Sequence, residues 1–130
     1  MVNSTENDDR LSKLFLLRKE FMNELNKKIP GSYDSWPIDL TKKNSQQMVR
    51  DLSLRGVEEM FEAVQHLKNS KPHRLTDVPD IDREAFVEEI VDAFNFFFSV
   101  LILVGVNEDE LFQAYKKKHQ IILNRLNKNY

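Results

Sequence analysis

The chain contains no cysteine. That excludes disulfides, thiolate zinc sites and cysteine nucleophiles, and it suits a reducing compartment. Glycine and proline are scarce, three and four in 130 residues, and long stretches carry neither. Sandwiches and barrels need many turn residues, so this scarcity predicts an all-helical fold. No apolar run approaches the roughly 20 residues that cross a bilayer. The nearest, Ala93 to Val106, is too short and is broken by Asn95 and Ser99. The first ten residues, MVNSTENDDR, are polar and acidic, unlike a secretory signal or a mitochondrial presequence. A net charge of −2 lacks the basic excess of a nucleic-acid binder. A cytoplasmic protein without membrane or nucleic-acid partners is expected.

What is present suits one globular domain, with 41% hydrophobic and 31% charged residues in a chain long enough for a core. Residues 1–130 are expected to form that single domain, residues 1–9 being a frayed tail. Leu11, Leu14, Phe15, Phe21, Met22, Leu25 and Ile29 recur at threes, fours and sevens, which predicts a first helix ending before Pro30-Gly31. Residues 30–43 read as an irregular connection holding Tyr33 and Trp36. Trp36 is expected to plug the end of a helical core, or else Trp36 or Tyr33 to pack on a nucleobase. A second helix is expected from Asn44 or Ser45, both good N-caps, to about Lys68. A basic loop with Lys71, His73 and Arg74 follows. The third helix is expected from Asp82 as N-cap to about Val104, closed by Gly105. The fourth starts at Asn107, with Glu110 completing a capping box. Gly56 costs about 1 kcal/mol relative to alanine inside a helix, so it is expected where a neighbouring helix comes close or where the helix kinks.

Two acidic pairs stand out against this background. Glu59-x-x-Glu62 lies in the second helix and Glu89-x-x-Asp92 in the third. Residues three apart on a helix are neighbours, so each pair puts two carboxylates on one face. The third helix is apolar almost all round, and its one polar stripe is Glu88/Glu89, Asp92, Asn95 and Ser99. Such a stripe must line a pocket, a metal site or a polar contact with another chain. Four carboxylates aimed at one another repel, and a divalent cation removes the repulsion. Oxygen-only donors select a hard ion, Mg²⁺ with Mn²⁺ as a substitute, over zinc. Such ions serve phosphoryl chemistry by activating water and neutralising polyphosphate charge. Lys118 and Arg125, seven apart on one face of the last helix, are candidate phosphate contacts.

Glu59-x-x-Glu62, a linker, then Glu89-x-x-Asp92 resembles the all-α nucleoside triphosphate pyrophosphatases, the superfamily of MazG and the dimeric dUTPases. Val91-Asp92-Ala93-Phe94-Asn95-Phe96-Phe97 is similar to the Val-Asp-x-x-His/Asn-Phe-Phe of the dUTPase-like branch. The C-terminus resembles that branch's Lys-Asn-x-x-Asn-x-x-Arg-Gln-Asp-x-Gly-Tyr at Lys118, Arg125 and Tyr130. His119 and Ile122 replace its two asparagines, Leu126-Asn127 its Gln-Asp and Asn129 its glycine, so a preference for dUTP is not carried over. The resemblance covers roughly residues 45–130. It implies a four-to-five-helix bundle with helices packing across the subunits of a homodimer or homotetramer. It also implies Mg²⁺ at Glu59, Glu62, Glu89 and Asp92, with Glu59 or Glu62 helping to activate the attacking water. The substrate class it implies is a nucleoside triphosphate, expected to be a deoxynucleotide, contacted by Asn95, Lys118, Arg125 and Tyr130; Trp36, outside the resembling segment, is a further candidate substrate contact from the loop reading above.

Two other readings fit parts of the pattern. A ferritin-like dimetal oxidase wants Glu-x-x-His, and Gln65 stands where the histidine after Glu62 would be. A non-catalytic helical interaction or nucleotide-binding module, its acids solvated or paired with Arg55 and Lys118, explains the amphipathic helices equally well. It leaves Asp92 and Asn95 unexplained inside the most apolar segment.

Overall fold

A computed structural model of the chain describes residues 9–68 and 71–128. Among the described residues there are four helices and no strand: α1 (Arg10–Lys28), α2 (Lys43–Val64), α3 (Arg83–Leu103) and α4 (Glu108–Leu126). The all-α expectation holds. No single helix is long and apolar enough to cross a membrane.

The chain divides into two compact units, Met1–Pro37 with Leu101–Tyr130, and Ile38–Val100. In the first, α1 begins one residue earlier than its apolar pattern. Asp9, expected in a frayed tail, is instead its N-cap, its carboxylate accepting from the Ser12 amide at 3.0 Å and from the Ser12 hydroxyl at 2.6 Å. Phe15 and Met22, two turns apart on one face, are fully buried. The connection after α1 folds back onto it. The Tyr33 amide donates to Asn26 Oδ1 at 2.8 Å, and Arg18 donates to the Tyr33 hydroxyl at 3.4 Å. Tyr33 is thus the buried aromatic of this loop, whereas Trp36 is half-exposed. Trp36 is the aromatic expected to plug the core, but a phenol can be buried with its hydroxyl bonded to a neighbour.

The end of α3 and the start of α4 follow the sequence closely. Gly105 takes a φ of 83°. Its amide donates to the Ile102 carbonyl at 3.1 Å and that of Val106 to the Leu101 carbonyl at 2.9 Å, the paired bonds of a Schellman ending. A side chain at 105 would be strained by that φ and would also meet Pro37, since a β-carbon there lies 2.9 Å from the proline Cβ. Asn107 then caps α4 by accepting from the Glu110 amide at 2.8 Å.

In the second unit, α3 starts as expected, with Asp82 accepting from the Ala85 amide at 3.1 Å. The boundaries of α2 do not. It begins at Lys43, and its N-cap Lys42 makes no side-chain capping bond. Asn44 and Ser45 lie within the first turn, Ser45 being buried. The helix ends at Val64 rather than near Lys68. The amides of His66 and Leu67 reach only to the carbonyls three residues back, Ala63 and Val64, the tight turn that commonly closes an α-helix. His66 therefore lies beyond the end of α2.

Candidate metal centre

Three contacts fix how α2 and α3 lie against each other. A β-carbon on Gly56 would stand 2.8 Å from Phe97 Cε1, 2.9 Å from its Cζ and 3.3 Å from Phe96 Cβ. Ligand oxygens of Glu59, Glu89 and Asp92 all lie within 4.8 Å of one another. The His66 and Phe86 rings meet edge to face, centroids 6.3 Å apart. As numbers rise along α2 they fall along α3, so the helices run antiparallel. Small residues line the seam: Gly56 is buried, and Ala63 and Ala93 have no exposed surface. This is the close approach that Gly56 predicts.

The seam separates two edges of opposite chemistry. On one, Glu59, Glu89 and Asp92 converge, each half-buried. On the other, Val57, Met60, Phe61, Val64 and Phe97 line an apolar groove of about 220 Å³. On α2 the split follows from helical geometry, because Glu59 lies about 160° round the axis from Val57 or Phe61 at 100° per residue.

Electrostatics mark Glu59 as the stressed member. Its pKa is raised above the ordinary glutamate value. Partial burial contributes most, then a hydrogen bond in which the protonated carboxyl donates to Glu62, then the negative charges of Glu62, Asp92 and Glu89. No basic group stands among these influences. Among the described residues no ion pair joins Arg55 to Glu59 or Glu62, so of the two states the interaction-module reading allows these acids, solvated or paired, the pairing with Arg55 is not found.

Of the four expected ligands, three converge. Glu62 is exposed and lies outside the trio, touching it only through Glu59. Asn95 is half-buried one turn beyond Asp92 on α3, and Ser99, a turn further, is fully buried. Lys118 and Arg125 are exposed on α4, as are His119 and Ile122. Tyr130, with Asn129, lies outside the described residues. The third helix, expected to be enclosed, keeps Val87, Val91, Phe94 and Phe97 at least 40% exposed within this chain. The exposed groove went unanticipated, although Val57, Phe61 and Val64 at fours and threes carried its signal.

The donor set fits a hard divalent cation. All three ligands are carboxylates, and each rides on a regular helix, which holds a ligand more firmly than a loop does. Comparison with protein-family models, with curated proteins and with solved structures finds no match.

Proposed function

We propose that the chain is a Mg²⁺-dependent nucleoside triphosphate pyrophosphohydrolase, converting a (deoxy)nucleoside triphosphate and water to the monophosphate and pyrophosphate. The observation that carries this reading is the convergence of Glu59, Glu89 and Asp92 from two antiparallel helices, in the order in which the resembling pyrophosphatases carry their acids. When bound there, a divalent ion supplies charge neutralisation to the phosphates and lowers the pKa of a coordinated water. Asp92 and Glu89 present their carboxylates from the apolar α3. Glu59, whose pKa is raised by partial burial and by its acidic neighbours, is the carboxylate whose charge a bound cation would relieve most. Glu62, exposed and hydrogen-bonded to Glu59, is free to accept a proton from the attacking water. Lys118 and Arg125 are the cations offered to the phosphates, and Asn95, Trp36 and Tyr130 the groups offered to the nucleoside. The service is nucleotide-pool sanitation or supply of a deoxynucleoside monophosphate.

The exposed apolar groove of Val57, Phe61, Val64 and Phe97 favours an interaction role as well. The two readings join if the partner is a second copy, so the working form is a homodimer or homotetramer. The test is pyrophosphate release with Mg²⁺ across ribo- and deoxynucleoside triphosphates. Release from one or a few substrates, lost in Asp92→Asn and Glu62→Gln, supports the enzyme. Silence across the panel, without a Mg²⁺-dependent rise in melting temperature, leaves the interaction module as the function.

A further inference from the structure

Gly56 sits three residues before Glu59, about 4.5 Å along the helix, and Phe97 five after Asp92, about 7.5 Å. Their contact is therefore close to the carboxylates without being part of them. Non-bonded carbons prefer roughly 3.5–4.0 Å, so a β-carbon at position 56, 2.8 Å from the Phe97 ring, forces movement. That ring is 40% exposed and can swing aside. The Phe96 Cβ, 3.3 Å away, is tied to the α3 backbone and cannot. The remaining displacement must part the helices by a fraction of an ångström. Beyond the end of α2 the His66 and Phe86 rings still meet edge to face, and Glu59 and Asp92 lie between that contact and the parted end.

We propose that Gly56, by admitting Phe96 and Phe97 against α2, sets the width of the Glu59–Glu89–Asp92 cluster and so selects a small divalent ion over a larger one. This rests on the metal reading above and assigns Gly56 as a positioning residue for it. The relevant length scale is small. Oxygen ligands stand about 2.0–2.1 Å from Mg²⁺ and about 2.3–2.6 Å from Ca²⁺, and only Ca²⁺ tolerates irregular geometry. A cluster widened by a few tenths of an ångström loses Mg²⁺ and keeps Ca²⁺.

The experiment is titration calorimetry of the full chain with MgCl₂ and with CaCl₂, without nucleotide. It compares wild type, Gly56→Ala, Gly56→Val and Gly56→Ala with Phe97→Leu, with circular dichroism confirming the fold. The expected result is a graded loss of Mg²⁺ affinity, reaching roughly tenfold in Gly56→Val, while Ca²⁺ affinity holds. The Phe97→Leu change should return little of the lost Mg²⁺ affinity, because the ring can swing aside and the Phe96 Cβ is what keeps the helices apart. If Gly56→Val does not fold, Gly56→Ala decides with a smaller shift in the same direction. Equal weakening of both ions, or an unchanged Mg²⁺ to Ca²⁺ ratio in a folded variant, overturns the inference and leaves the metal reading standing. A wild type that binds neither ion overturns both.

Discussion

Acidic side chains gather at two places in this molecule. At the starts of α1 and α4, Asp9, Glu108 and Asp109 border a common cavity with Leu11 and Phe112. On α2 and α3, Glu59, Glu89 and Asp92 meet across a helical seam. The residue types are the same, and the shifts of Asp9 and Glu59 run in opposite directions. The first group stands at helix N-termini, where unpaired amides and the helix dipole favour negative charge. Asp9 is accordingly held below the ordinary aspartate range, chiefly by the Ser12 hydroxyl and then by its amide. The second group sits in mid-helix, where every amide is already committed to the helix. Its charges have only one another, and Glu59 is pushed up. A cluster of carboxylates is informative when nothing in the fold has already satisfied it.

The largest effect that tests this contrast comes from exchanging one acid in each group. Asp92→Asn should abolish the Mg²⁺-dependent rise in melting temperature and reduce pyrophosphate release roughly 100-fold or more, since even outer-shell changes cost 10–100-fold in metal affinity or activity. Asp109→Asn should leave both unchanged. Thermal melts with and without Mg²⁺, together with a pyrophosphate assay, check the pair. Equal behaviour of the two variants would erase the distinction.

The contrast was partly legible in the sequence. Helical periodicity reports how residues are arranged round their own axis, so the acidic pairs, the polar stripe of α3 and the need for space at Gly56 could be read. Chemistry that acts within a few residues was also readable, as at Asp82, Gly105 and Asn107. Periodicity does not report the rotation of one helix against another. Glu59 and Glu62 are equivalent by spacing, and only the antiparallel register sends Glu59 into the trio and leaves Glu62 outside. The start of α2 was missed because Lys42 has no capping side chain, so Asn44 and Ser45 offered a stronger but irrelevant signal. That Tyr33 rather than Trp36 is the buried aromatic of its loop could not be read, because its partners, Arg18 and Asn26, lie on α1 and not beside it in the loop.

A smaller effect concerns pH in the absence of metal. Glu59 has a folded pKa raised above its ordinary value of 4.5, so the folded chain binds that proton more tightly than the unfolded chain. Its contribution to stability is fully present below the ordinary value and is lost as pH rises through the raised one. Glu59→Gln should therefore melt a few degrees higher than wild type at neutral pH without Mg²⁺. Added Mg²⁺ should reverse the order, because it stabilises only the chain that can ligate it. Melting curves across pH 4–8, with and without Mg²⁺, check both signs. A Glu59→Gln advantage that persists in Mg²⁺ would mean the glutamate is merely misplaced.

The smallest effect lies at the other cluster and runs the opposite way. Asp9 has a folded pKa lowered from 3.8. Its contribution to stability is present above the unfolded value and is lost as pH falls through the lowered one. The largest cause of the shift is the Ser12 hydroxyl, 2.6 Å from Asp9 Oδ2, and the Ser12 amide at 3.0 Å is the next. Ser12→Ala removes the first and keeps the second. The Asp9 carboxyl resonance, followed by NMR, should then titrate at a higher pH than in wild type while staying below an ordinary aspartate. Mg²⁺ should move this titration in neither protein, whereas it should depress that of Glu59. If Mg²⁺ shifts Asp9 as it shifts Glu59, the two clusters are electrostatically alike, and the satisfaction of charge by helix termini does not distinguish them.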